Sequence, residues 1–175
     1  MSRLRILLWL CLALYLALCQ PAARAAGGLD EAQMRAAFVH RFAQYTQWPP
    51  PPLREFTYCT AGIEGDGEAW RNLPNRPMGG LPIQILNLDS PQQVGQCQLL
   101  VLGHSDRAEL RRWMHALGDL PVLVVGASPE AYRAGASIVL MLEPQGLAFR
   151  VNNTEAKRRG LLLSSQMLKL AREVR

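Results

Sequence analysis

Beyond its first nineteen residues the chain has no apolar run approaching the roughly 17 to 25 residues needed to cross a bilayer, which argues against a bundle of membrane-spanning helices. Signatures of catalysis are missing too. There is no G-x-S-x-G elbow and no H-E-x-x-H helix. The three histidines, at 40, 104 and 115, show no ligand spacing with the cysteines, so neither a metal nor a cofactor is expected. No basic run exceeds Lys157-Arg158-Arg159, so the concentrated positive field that nucleic-acid binding requires is lacking. The stretch Gly62-Ile63-Glu64-Gly65-Asp66-Gly67 has G-x-x-G-x-G spacing, neither the dinucleotide nor the phosphate-loop fingerprint, and reads as a flexible turn.

What the chain does have begins at its start. Residues 1–5 carry two arginines and no acid, residues 6–19 are apolar, and Gln20-Pro21 leads into Ala23-Arg24-Ala25, with small residues where a signal peptidase inspects. This reads as a secretory signal over residues 1–25, cleaved after Ala25, with residues 26–175 as a single domain in the periplasm. The apolar run is short for a membrane anchor, and Leu18 is too bulky for lipoprotein processing at Cys19. Of the 19 basic residues, Arg3, Arg5 and Arg24 belong to the leader, leaving 16 against 14 acidic ones, a nearly balanced charge. Of the four cysteines only Cys59 and Cys97 remain in the mature chain. They can form one intramolecular disulfide, structural in an oxidising compartment or, on the alternative reading, redox-sensing.

Patterning along the mature chain alternates between helix and strand. Met34, Phe38, Phe42 and Tyr45 recur at helical spacing within residues 30–48, and Pro49-Pro50-Pro51-Pro52 ends that helix and favours an extended segment. A strand is expected at 56–61, a short helix at 68–73, a turn-rich connection at 75–81 and a strand at 82–88. Ser90-Pro91-Gln92-Gln93 has the chemistry of a capping box. The run Leu99-Leu100-Val101-Leu102 suits a strand buried on both faces, as parallel sheets require. A helix capped by Asp106 should reach Leu117, with Leu110, Trp113, Met114 and Leu117 inward, followed by a buried segment at 121–125. Ser128-Pro129 opens a short helix, residues 137–142 form a strand, and Glu143-Pro144-Gln145-Gly146 turns it into an antiparallel return at 147–151. Asn152 and Asn153 are competing caps for a last helix reaching Arg172, with Leu161, Ser164, Ser165, Leu168 and Ala171 on its inner face and Gly160 as its weak point. The pattern predicts an α/β sandwich with a mostly parallel sheet and a C-terminal antiparallel hairpin strand.

Candidate chemistry is sparse. His104-Ser105-Asp106 offers three triad residue types side by side, but triads converge from separate elements, and a Ser or Asp before a helix is ordinary capping. Phe38, Phe42, Tyr45, Trp48, Trp70 and Trp113 are expected mostly in the core, with the first helix as a possible interface. Arg150, Arg158, Arg159 and Arg172 flank or lie on the last helix, as solvated surface or as partner contacts.

Two segments go beyond periodicity. Met34-Arg35-Ala36-Ala37-Phe38-Val39-His40-Arg41-Phe42-Ala43-Gln44-Tyr45-Thr46-Gln47-Trp48-Pro49 resembles the opening helix of the YfiR family of exported proteins, with its A-A-F, aromatic and W-P pattern. Phe149-Arg150-Val151-Asn152, Gly160-Leu161, Ser164-Ser165 and Leu168-Lys169-Leu170-Ala171 resemble that family's closing segment. Phe38, Trp48, Asn152 and Gly160 match positions that define the family's fold, and the segments around Cys59, Cys97 and Pro121 fall in the family's order. The resemblance implies a Rossmann-like domain, often a homodimer, without catalytic residues. It further implies a repressor that binds the periplasmic domain of an inner-membrane diguanylate cyclase, from which an OmpA-like outer-membrane lipoprotein can draw it away, coupling the envelope to cyclic di-GMP and biofilm formation. The alternative from a different class is a small-ligand-binding sensory module serving a histidine kinase or other receptor, with its ligand in the crevice at the carboxyl ends of the strands.

Export can be checked directly. Mass spectrometry of the periplasmic protein should find an N-terminus at Ala26, whereas a lipid-modified Cys19 would make it an anchored protein.

Overall fold

The computed structural model describes residues 23–63, 67–73 and 78–175. The charged and apolar parts of the expected leader lie outside these residues, as do parts of the glycine-rich loop and of the turn-rich connection. Residues 32–175 form one compact unit, and residues 1–31 form another, of which helical backbone is described from Ala23.

In chain order the elements are α1 (Ala23–Gln44), β1 (Thr46–Gln47), β2 (Phe56–Ala61), α2 (Gly67–Arg71) and β3 (Ile83–Asn87). A 3₁₀ turn (Pro91–Gln96) leads to β4 (Leu99–Leu102), α3 (Arg107–Leu117), β5 (Leu123–Gly126), α4 (Pro129–Ala134), β6 (Ile138–Glu143) and β7 (Gly146–Val151). The chain closes with α5 (Asn153–Arg158), β8 (Leu162–Leu163), α6 (Ser165–Leu168) and β9 (Glu173–Val174).

Seven strands make one sheet in the order β3-β2-β4-β5-β6-β7-β9, parallel throughout except for the β6–β7 hairpin. The expected α/β architecture and its antiparallel return are therefore present. Period-two alternation explains why the central strands read as unbroken apolar runs, since each face of the sheet meets its own core. Phe56, Tyr58, Leu99, Val101, Leu123 and Val125 point to the layer of α1 and α2, and Cys59, Ala61, Leu100, Leu102 and Val124 point to that of α3 and α4. Phe42 is buried on α1, its ring 4.9 Å from that of Phe149, while Phe38 and Trp48 are half-buried and Tyr45 is exposed. Trp70 and Trp113 are buried as expected. Beneath α1, His40 Nδ1 and the Tyr58 hydroxyl lie 2.9 Å apart, and burial pushes the Tyr58 phenol far above its ordinary pKa, so it stays protonated.

Three local expectations are corrected. The first helix ends at Gln44 and not near Trp48, because Thr46-Gln47 leaves it to pair antiparallel with Leu162-Leu163 while the Thr46 hydroxyl donates to the Phe42 carbonyl at 2.7 Å. Ser90 precedes a 3₁₀ turn and makes no side-chain cap; its hydroxyl contacts Gln92, and Gln93 bonds through its backbone N–H to the Ser90 carbonyl at 3.2 Å. The long last helix does not form. Gly160 adopts φ +75°, a left-handed conformation that ends the helical path, with Pro49 lying where a Cβ would come within 3.6 Å. Leu161 is then buried, Leu162-Leu163 becomes a strand, and Ser164 caps α6 through the Met167 N–H at 3.2 Å. Met167 is the buried side chain of α6, Leu168 and Ala171 pack partly buried against the same core as expected, and Ser165 is exposed.

The sulfurs of Cys59 on β2 and Cys97 just before β4 are bonded, with a Cα–Cα distance of 5.8 Å. Both residues are buried in the α3–α4 layer. Closing a loop of this length stabilises a fold by about 3–4 kcal/mol in the chain-entropy model. The Cys59→Ala/Cys97→Ala double variant should lose that amount in urea unfolding, and thiol labelling of the wild type under denaturing, non-reducing conditions should find no free thiol.

Candidate functional site

The sheet reverses direction between β2 and β4: the chain leaves β2 for β3 on one side and returns to β4 on the other. In open α/β sheets such a reversal opens a crevice at the carboxyl ends of the strands. Here that region holds Gly62 after β2 and Gly103-His104 after β4. Gly62 has φ +65°, and a Cβ there would stand 2.6 Å from the His104 ring; a Cβ on Gly103 would stand 2.2 Å from the Gly62 carbonyl oxygen. The two loops are in direct backbone contact, and the His104 ring lies over Gly62 with its other side toward Trp113, 5.7 Å between centroids.

His104, Ser105 and Asp106 do not assemble a triad. The Asp106 carboxylate accepts from the N–H groups of Ala108 at 2.9 Å and Glu109 at 3.0 Å as the cap of α3. The backbone bond from Glu109, with that from Ala108, holds its pKa below the ordinary carboxylate range. The Ser128 hydroxyl donates to the His104 backbone carbonyl at 3.3 Å, and the Ser128 Oγ accepts from the Ala131 N–H at 3.2 Å as the cap of α4. Among the described residues no group of three or more His, Cys, Asp or Glu is placed to hold a metal.

The four arginines do not form one cluster. Arg150 on β7 lies 3.5 Å from Glu173, and Arg172 donates to Glu143 at 2.8 Å, so both fasten the closing segment to the β6–β7 hairpin. Arg158 at the end of α5 forks to Glu155 at 2.8 Å and to Asp119; the Glu155 bond first of all raises its pKa. Arg159 is the correction. Expected on a solvated surface, it is 3% exposed and donates through Nη1 to the Gly118 carbonyl at the C-terminal end of α3, at 2.9 Å. The turn that Gly160 makes aims it inward, and desolvation lowers its guanidinium pKa. It is a tie between α5 and α3 and not a partner contact in this state.

The same fastening brings out an apolar surface that reading by residue type missed. Leu142 and Leu147 are opposed at the turn end of the β6–β7 hairpin, and Leu142 is 62% exposed. The Arg172–Glu143 bridge draws to that hairpin the turn carrying Leu170, which is 73% exposed. Exposed leucines near Arg172 combine apolar contact area with a cation able to make directed bonds, while Arg150, opposite Val139, lies on the other face of the sheet. Strand alternation could have flagged Leu142, but only the tertiary ties place Leu170 in the same neighbourhood.

A family model described as YfiR/HmsC-like matches residues 32–172. The fold is similar to that of a conserved domain protein from Vibrio cholerae, at 10% identity and a TM-score of 0.59, covering 82% of this chain and 60% of that one. It is also similar to an ABC domain from Streptococcus pneumoniae in complex with L-Trp, at 8% identity and a TM-score of 0.55, covering 83% of this chain and 60% of that one. At these identities the likeness is one of fold alone. The chain thus spans about 60% of the length of each structure. No curated protein matches it.

The different settings of Arg158 and Arg159 give a direct test. Arg159→Ala removes a buried, charge-assisted bond and should destabilise the protein by about 2–3 kcal/mol in urea unfolding. Arg158→Ala, on the surface, should stay within about 1 kcal/mol of wild type.

Proposed function

Because the chain belongs to the YfiR/HmsC-like family, we propose that it is a periplasmic regulator of cyclic di-GMP signalling that acts by stoichiometric binding. On this reading it holds an inner-membrane diguanylate cyclase inactive through the cyclase's periplasmic domain. An OmpA-like outer-membrane lipoprotein releases the cyclase by drawing the repressor away. The observation that carries the proposal is the extent of the family match, which takes in nearly the whole compact unit of residues 32–175.

Two features support a binding mechanism. His104 packs on Trp113, Asp106 caps α3 and Ser105 is exposed, an arrangement of neighbours in sequence that does not favour a nucleophile and base pair. The hairpin end with Leu142, Leu170 and Arg172 has the composition of a protein interface, and among the described residues no helix is long and apolar enough to cross a membrane. We assign the cyclase contact to this edge. The ligand-module reading is less favoured because the His104 ring occupies the space over Gly62 at the sheet's reversal point.

Deleting the gene should raise cyclic di-GMP and surface attachment, and so should a chain lacking residues 1–25. Leu170→Glu should reproduce the deletion with little change in stability, since an exposed side chain away from caps and cores shifts stability by only about 0.5 kcal/mol. His104→Ala should complement wherever it folds. Unchanged cyclic di-GMP in the deletion strain, under both reducing and oxidising growth, would reject the repressor reading.

A further inference from the structure

On one face the sheet extends farther than the helices that cover it. The α3–α4 core takes buried side chains from β2, β4 and β5 and, among the described residues, none from β7 or β9. Past α4 the row Val139, Arg150 and Glu173 crosses β6, β7 and β9 in register, and Met141 follows Val139 on the same face. With Arg133 and Tyr132 of α4 and with Arg175, these residues line a cavity of about 200 Å³.

Three arginines from three different segments meet around that cavity, and each is held in place. Arg133 donates to Glu130 at 2.8 Å, and Arg150 lies 3.5 Å from Glu173. The backbone of Arg175 is fixed on both sides, since its N–H donates to the Val151 carbonyl at 3.0 Å and its carbonyl accepts from the Asn153 N–H at 2.7 Å. Its guanidinium sits 4.1 Å over the Tyr132 ring and donates to the Tyr132 carbonyl at 3.0 Å. Tyr132 is anchored in turn, its hydroxyl donating to the Val151 carbonyl at 3.1 Å. Each of these ties occupies one guanidinium nitrogen, so most of the five donors of each arginine stay available. A single carboxylate, Glu173, lines the cavity against the three cations. Like charges gathered at one depression repel, and an anion seated among them relieves that repulsion.

We propose that this cavity binds a small organic acid carrying two carboxylates, its anionic oxygens held by Arg133, Arg150 and Arg175 and its short carbon body laid against Val139 and Met141. Volume sets the size: drug-sized ligands occupy roughly 300–1,000 Å³, so this cavity takes a smaller molecule. The surplus of arginine over glutamate sets the charge. Planar guanidinium groups match carboxylate and phosphate alike in bidentate bonds, but inorganic phosphate has no carbon body for the apolar floor. The inference is independent of the regulatory reading, because Leu142 alternates with Met141 to the other face of the sheet and the cavity lies away from the crevice over Gly62.

The test uses the exported protein with its native disulfide. Calorimetric titration with succinate at low ionic strength should give a Kd below about 1 mM, with inorganic phosphate bound at least tenfold more weakly. Arg150→Gln and Arg175→Gln should each weaken succinate binding at least tenfold with the melting temperature retained. Arg133→Gln repeats the test at an exposed side chain whose tie is to Glu130 within α4, away from the closing segment. Arg112→Gln removes a cation paired with Glu109 outside the cavity and should bind succinate as the wild type does. An absence of succinate binding, phosphate binding within tenfold of succinate, or an equal loss in Arg112→Gln would each overturn the proposal. So would succinate binding that survives in both Arg133→Gln and Arg150→Gln.

Discussion

The fold depends on a dry parallel ladder in which β4 lies between β2 and β5. Parallel strands buried on both faces need helices above and below, and the side chains of β2, β4 and β5 divide strictly between two cores. Everything else is arranged around that demand. α1 and α2 close one face, α3 and α4 the other, and the Cys59–Cys97 bond joins the chain entering β4 to the middle of β2 within the second core. The same demand brings the glycines together after the strands. Adjacent parallel strands end side by side, so the loops leaving β2 and β4 must pass within van der Waals contact, which only Gly62 and Gly103 allow.

The proposed binding by shape fits this economy. The polar residues that could have looked chemical are spent on the scaffold: Asp106 and Ser128 on helix starts, His104 on packing over Gly62, Arg159 on the end of α3. The remaining surface is uneven. One sheet end is closed by a short parallel strand and by arginine ties yet exposes leucines at its hairpin, and at the other no strand follows β3 among the described residues.

Where patterning failed, a contact distant in sequence decided the outcome. The helical spacing of Leu161, Leu168 and Ala171 is genuine, but Gly160 turns the chain beside Pro49, about a hundred residues away, and Leu162-Leu163 finds Thr46-Gln47 as its strand partner. Arg159 read as one of three adjacent basic residues on a surface. Its burial depends on where the end of α3 lies, which no local pattern encodes. Leu142 and Leu170 become neighbours of one edge through an Arg172–Glu143 bridge that spacing does not announce.

The sequence by itself determined the α/β class, strand β2 to the residue, the caps at Asp106 and Ser128, the hairpin turn at Pro144-Gln145 and the family. These are local matters, written in side-chain period, capping chemistry and turn residues within a few positions of one another. The tertiary structure alone decided the breaking of the last helix, the inward turn of Arg159, the closure of the crevice over Gly62 and the contrast between the two sheet edges. Each of these depends on which distant segment arrives to donate a hydrogen bond or to exclude water, and that is settled only when the layers pack.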